Sequence, residues 1–257
     1  MNINQFVKFV QAHYNTTEFI PLHEPRFTGK EKEYLLDTID STFVSSVGAY
    51  VDKAEEMIAD VANTDNAIAV VNGTAALHVA LRLAGVKHGD EVLTQALTFV
   101  ATANAVAYNN ANPIFLDVDL DTMGLSPVSV NSFLEEYGEK RADGCYNKKT
   151  GKRISACLPM HTFGFPTHLN ELLNICNAWD IPVVEDAAES IGSTYHSRPT
   201  GSYGHYGTYS FNGNKVITSG GGGAILTNDK DAAISAKHIT TTAKLPHSYE
   251  YNHNELG

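Results

Sequence analysis

Apolar positions along the chain change their spacing repeatedly, and each change marks an element. Short apolar runs cover 67–71, 91–94, 113–116, 154–159 and 182–185, too brief for helices and dense enough for strands buried on both faces. Between them, 74–84, 100–107, 128–137 and 168–178 carry apolar residues every three or four positions and predict helices. Buried strands alternating with helices predict an α/β protein with a largely parallel sheet covered on both faces.

The flanks differ. Residues 1–27 show no strong period and read as a lead-in. Thr28 and Glu31 have the spacing of a capping box, ahead of Leu35, Leu36 and Ile39 at helical intervals. A further helix is predicted over 50–62, with Val51, Ala54, Ile58 and Val61 on one face. From residue 206 the pattern becomes strand (206–211), strand (216–218), a glycine run (220–223) and strand (224–227), then a helix from 229 to about 242. Residues 139–153, with Lys148, Lys149, Lys152 and Arg153, read as a solvated excursion. After Leu245 neither a cap nor a packing element is apparent.

Composition narrows the classes. Of 257 residues, 43% are hydrophobic and 18% charged, enough apolar material for a folded core. With 29 acidic against 18 basic residues the net charge is −11, and no basic stripe suited to nucleic acid occurs. Cys145, Cys157 and Cys176 form neither a zinc pattern nor a disulfide framework, so free thiols in a reducing cytoplasm are expected. No signal peptide is evident. The longest apolar stretch, 67–86, is broken by Asn72, His78 and Arg82 and predicts no membrane span.

Four segments carry candidate chemistry, each with a plainer alternative. In Asn72-Gly73-Thr74-Ala75 a strand meets a helix whose first N–H groups could hold a phosphate; otherwise Thr74 is an N-cap. Asp186 closes a buried strand where open α/β sheets bind ligands, and could keep a pyridine-type nitrogen protonated; otherwise it is a solvated acid. Lys215 follows Ser210-Phe211-Asn212-Gly213-Asn214, with no Asp or Glu from 202 to 228. An unpartnered lysine there could form a Schiff base, or could be a surface charge. Phe99, opening a helix, could lie over a flat ring or belong to the core.

In chain order these four resemble the fold-type I pyridoxal-phosphate enzymes, and more narrowly the DegT/StrS family of sugar-nucleotide aminotransferases. The similarity rests on NGTAALHVAL, LTFVATANAV, PIFLDVD, MHTFGFPTHL, VVEDAAES and YSFNGNKVITSGGGGAI, within residues 20–257. The wording FVSSVGAYVDKAEE, EDAAESIGS and FNGNKVITSGGGG is most similar to the subgroup serving legionaminic-acid-type pathways. The resemblance implies a three-layer αβα fold with a mostly parallel seven-stranded sheet, the large domain of such transferases. It implies pyridoxal 5'-phosphate attached to Lys215, with Asp186 on the ring nitrogen and Phe99 stacked on the ring. Gly73, Thr74, Ala75 and Ser210 would hold the phosphate. Glu189 falls near the cofactor's 3'-oxygen, where the family usually carries Gln or another polar residue.

The implied reaction is transamination of a 4-keto-6-deoxy nucleotide sugar, L-glutamate being the donor, in amino-sugar or surface polysaccharide biosynthesis by a cytoplasmic homodimer. Histidine replaces the lysine in related dehydratases, so Lys215 favours transamination. Family members continue for roughly another hundred residues. The expected organisation is therefore a lead-in (1–27), a cofactor-binding large domain (28–245) and the start of a connection (246–257) to a C-terminal small domain. The alternative is a truncated, non-catalytic fragment that binds the cofactor.

Overall fold

The computed structural model describes residues 2–245, 250 and 252–257. The predicted lead-in contains a helix, α1 (Ile3–Tyr14). Asn2 caps it by accepting the Gln5 N–H at 3.0 Å, and the Gln5 side chain accepts the Asn2 N–H at 3.0 Å. Next come α2 (Glu31–Asp40) and α3 (Ala49–Ala62). The Thr28 capping box does not form. Lys30 is the N-cap, and Glu31 takes the Gly29 N–H instead, at 2.9 Å.

The strands form two mixed sheets rather than one mostly parallel seven-stranded sheet. The first joins β1 (Asn66–Val70), β7 (Val184–Asp186), β10 (Tyr206–Ser210) and β11 (Gly223–Thr227) in the order β1-β11-β10-β7. β10 and β7 are parallel, whereas β11 runs antiparallel to both its neighbours. No crossover helix separates β10 from β11, so the chain simply turns back along itself. The second sheet contains β2 (Glu91–Gln95), β3 (Asn112–Leu116), β4 (Gly138–Arg141), β5 (Gly144–Asn147) and β6 (Arg153–Leu158), ordered β3-β2-β6-β5-β4. Isolated parallel bridges at Cys157–Val183 and Met160–Asp186 connect the two sheets along β6 and β7. A short hairpin, β8 (Thr194–Tyr195) and β9 (Arg198–Pro199), stands apart.

Two further expectations change. The predicted excursion 139–153 is largely the β4–β5 hairpin, in which buried Asn147 donates to Glu91 at 2.8 Å. The predicted strand 216–218 lies in the loop between β10 and β11 and pairs with no strand. Val216 and Ile217 have the composition of a strand but are exposed.

Helices α4 (Gly73–Leu83), α5 (Val100–Tyr108), α6 (Pro127–Tyr137), α7 (Leu169–Ala178) and α8 (Lys230–Thr240) cover the sheets. Alternation sorts the core. Val92, Ala156, Leu158, Val184 and Ile225 pack with Ala76, Leu77, Ala80 and Leu81 of α4 and Ala236 of α8. Leu93, Cys157 and Val183, one residue along, pack with Val130, Leu134, Leu172 and Cys176 of α6 and α7. Helices therefore lie on both faces, and strand ends meet helix starts along one edge. The three cysteines are buried and unbridged. Residues 246–249 and 251, within the predicted connection, lie outside the described residues. Among the described residues no helix is long and apolar enough to cross a membrane.

Candidate active site

The C-terminal ends of β7 and β10 and the first turns of α4 and α5 converge on a cavity of about 250 Å³. Gly73, Thr74, Phe99, Asp186, Glu189, Ser210 and Lys215 all line it. Seven of the eight predicted site residues are thus together; Ala75 is not.

The phosphate end is set by α4. Asn72, in extended conformation, caps the helix by accepting the Ala75 N–H at 2.8 Å, so Thr74 is not the cap and the predicted Ala75 donor is occupied. Gly73 and Thr74 place the first-turn N–H groups of α4, which have no intrahelical acceptor, along the cavity wall. Gly73 allows the close approach: a Cβ there would sit 2.7 Å from Ser210 Cβ and 3.0 Å from its Oγ. This cradle of N–H groups, a hydroxyl and helix dipole suits an anion such as a phosphoryl group.

The acidic end is Asp186, buried at 4% exposure. Its Oδ2 accepts from Thr102 Oγ1 at 2.7 Å and its Oδ1 from the Ala188 N–H at 3.2 Å. Burial pushes its carboxyl above the usual range, opposed by those two donors, by the Lys215 charge and by nearby His161. A buried acid held this way suits a cationic nitrogen in the cavity. Phe99, the N-cap of α5, has its ring 5.7 Å from Lys215 Nζ.

Lys215 is not unpartnered. Its Nζ donates to Glu189 Oε1 at 3.1 Å, across a sequence gap that the acid-free stretch 202–228 concealed. The second carboxylate oxygen of Glu189 accepts the Phe163 N–H at 3.3 Å. Thr102 and Asn72 are further contributors that sequence reasoning missed. Asn72 could have been found from its cap position before a helix, whereas nothing local distinguishes Thr102 from other helical threonines.

Just behind the cavity, Glu185 and His161 are fully buried. His161 Nδ1 accepts the Thr167 N–H at 3.3 Å, so its Nε2 carries the proton and donates to Glu185 at 3.0 Å. Elsewhere, Asp119, Asp121 and His168 bring three metal-type donor atoms within 4.8 Å of one another; His168 Nε2 lies 3.0 Å from Asp121.

The fold and the convergence of helix start, acid and lysine define an α/β protein with a cavity at its strand ends. The sequence profile of the DegT/DnrJ/EryC1/StrS aminotransferase family matches residues 25–257, and the chain belongs to that family. It is 38% identical over 238 residues to EpsN of Bacillus subtilis (strain 168), whose name provisionally makes it a pyridoxal phosphate-dependent aminotransferase, covering 93% of this chain and 58% of that protein. It is 35% identical over 240 residues to the GDP-perosamine synthase of Escherichia coli O157:H7, covering 93% and 61%. The X-ray structure of the aminotransferase from Psychrobacter cryohalolentis superposes with a TM-score of 0.79 at 29% identity, covering 93% of this chain and 59% of the other. The chain spans less than two thirds of the length of each of these proteins.

Proposed function

We propose that this chain carries the cofactor site of a pyridoxal-phosphate aminotransferase acting on a 4-keto-6-deoxy nucleotide sugar, with L-glutamate as amino donor. One observation carries the reading: Lys215 and Asp186 line the same cavity as the open first turn of α4. Family membership and the similarity to GDP-perosamine synthases support a sugar-nucleotide substrate.

In this reading Gly73 and Thr74 N–H groups and the Ser210 hydroxyl bind the cofactor phosphate. Asp186, ionised, holds the ring nitrogen in its protonated form, and Thr102 keeps the carboxylate oriented. Phe99 covers one face of the ring, and Glu189 lies toward its 3'-oxygen. When bound, the cofactor supplies an electron sink for the carbon that loses a proton. Lys215 is its attachment point and then, as a free amine, the base that carries that proton from one carbon to the other. Residues 28–245 form the cofactor-binding unit.

The same reading places the protein in amino-sugar or surface polysaccharide biosynthesis in the cytoplasm, within the legionaminic-acid-type subgroup. It makes the protein a homodimer. The exposed apolar side chains of α1 and α2, including Phe6, Phe9, Leu35, Leu36 and Ile39, support a covered surface there.

Borohydride reduction after incubation with pyridoxal phosphate, followed by peptide mass analysis, tests the site. The pyridoxyl group is expected on Lys215, and a label on another lysine refutes the assignment. Conversion of glutamate to 2-oxoglutarate with a keto-sugar nucleotide tests the reaction; cofactor binding without turnover would indicate a non-catalytic fragment.

A further inference from the structure

The Lys215–Glu189 pair has a consequence for how the lysine gains and loses its cofactor. Among the described residues Glu189 is the one carboxylate in ion-pair contact with Lys215 Nζ, at 3.1 Å, and both side chains are largely shielded, 12% and 26% exposed. The carboxylate is held in place. Its other oxygen takes the Phe163 N–H, and Phe163 sits in a left-handed turn (φ 54°) followed by Gly164 (φ 84°). A Cβ on Gly164 would lie 3.0 Å from the Glu189 carbonyl oxygen, so this turn lies tight against residue 189.

Other charged groups near the lysine are otherwise engaged. Asp186 is bonded by Thr102 and Ala188. In a second cavity that Lys215 also lines, Glu24 faces Arg26 at 3.7 Å and Glu31 takes the Gly29 N–H. His23 lines that same cavity.

We propose that Glu189 is the proton acceptor and donor for Lys215 as the lysine forms and releases its bond to the cofactor's aldehyde, an inference that rests on the function proposed above. A lysine ammonium has no lone pair and cannot attack a carbonyl. Glu189 takes one ammonium proton; the nitrogen lone pair then forms a bond to the aldehyde carbon, while the C=O π pair moves to oxygen. That oxygen takes up one proton from the nitrogen and one from Glu189 and leaves as water, and the nitrogen keeps a double bond to carbon. The products are a protonated carbon–nitrogen double bond, water and Glu189 again as carboxylate, so charge and atoms balance. Run backwards, the same steps free the lysine. A glutamine at this position could hydrogen-bond the lysine but could not carry the proton.

The test mixes cofactor-free protein with pyridoxal phosphate and follows growth of the visible absorption band in the native chain, Glu189→Gln and Glu189→Ala. Positioned acid–base groups contribute about 100-fold or more to such steps, so both variants should load about 100-fold more slowly and reach the same final band. Added formate should restore the rate of Glu189→Ala but not of Glu189→Gln, whose side chain occupies the space. Rescue by a free carboxylic acid is something a merely structural role would not show. Native loading rates in the variants, or a slow Glu189→Ala that formate leaves slow, overturn the proposal while the function stands. No visible band even in the native chain overturns the function and this inference with it.

Discussion

Thr102 Oγ1 donates a 2.7 Å hydrogen bond to Asp186 Oδ2, tying the first turn of α5 to the end of β7 across 84 positions of sequence. Both groups are buried. Removing the hydroxyl would leave the carboxylate with the Ala188 N–H as its remaining direct donor within the described residues. Thr102→Val keeps the shape and should lower stability at neutral pH by about 1.5–3 kcal/mol, the range for hydrogen bonds to charged groups. Urea unfolding checks this, and Thr102→Ser should recover most of the loss.

Asp186 also sets a pH dependence. Burial raises its carboxyl above the ordinary value of 3.8, so the native state holds a proton over a window in which the unfolded chain has released it. Stability contributed by this group is therefore greatest at or below pH 3.8 and is lost as pH rises through the elevated native value. Cofactor-free Asp186→Asn should accordingly be at least as stable as the native chain near pH 7.5, the advantage shrinking as pH is lowered. If the proposed function holds, pyridoxal phosphate should reverse the order by stabilising the native chain more, through pairing of its protonated ring nitrogen with the carboxylate. Melting curves with and without cofactor decide both points.

The alternation of strands and helices from residue 66 to 186 was legible because its period depends on local burial alone. Strand direction was not: Ala224, Ile225 and Leu226 read as buried whether β11 runs parallel or antiparallel. Helix α1 was missed although Asn2 and Gln5 have capping-box spacing, because its apolar residues face no core. The β4–β5 hairpin is largely polar in sequence and is held by β5 pairing with β6, by buried Cys145 and by Asn147 reaching Glu91 on β2. At the candidate site, Gly73 and Asp186 stood out by position relative to strand ends and Lys215 by the acid-free stretch after Ser210, and all three line one cavity. The pairing of Lys215 with Glu189 could not be read, since it depends on the loop after β10 folding over the turn after β7. Likewise Glu185 resembles any strand-end acid until three loop N–H groups are seen to close on it.

Gly73 and Ser210 should be coupled. A methyl group at residue 73 would meet Ser210 Cβ at 2.7 Å, so the helix start or the end of β10 must move. Gly73→Ala should cost about 1–3 kcal/mol, as overpacking typically does. Combining it with Ser210→Gly removes the opposing atom, so the double variant should be more stable than the two single losses added together. A thermodynamic cycle measured by urea unfolding reads the coupling.

The cysteines should be chemically silent in the folded chain. Burial pushes Cys145 up to about 11, and a hydrogen bond with the Cys176 sulfur, together with burial, pushes Cys157 well above the ordinary thiol value. Thiolate is the reactive form, and for Cys145 its fraction at pH 8 is then about a thousandth; all three thiols are also buried away from reagent. A thiol-reactive chromophore at pH 8 should find no cysteine in the native protein and three after urea is added. Rapid native labelling would contradict the packing around β6 and α7.

Glu185 should matter for the frame of the site more than its single charge suggests. Its carboxylate is fully buried and accepts the N–H groups of Gly201 at 2.9 Å, Tyr203 at 2.6 Å and Gly204 at 2.6 Å, besides the proton on His161 Nε2. Every one of these is a donor, so both oxygens must accept. Glu185→Gln changes shape little but replaces one acceptor by an NH₂ group facing donors. Whichever way the amide turns, some buried N–H is left unsatisfied, at about 1–3 kcal/mol. Hydrogen exchange should show the loss locally: the amides of Tyr203 and Gly204 exchange faster, while those of α6 and α7 are little changed. Where the amide NH₂ takes the Oε2 side, facing His161 and Gly201, His161→Ala in the same background should add less than it does alone, because the bond it removes is already impaired. Unchanged stability together with unchanged protection at residues 201–204 would mean that the carboxylate does not hold this loop.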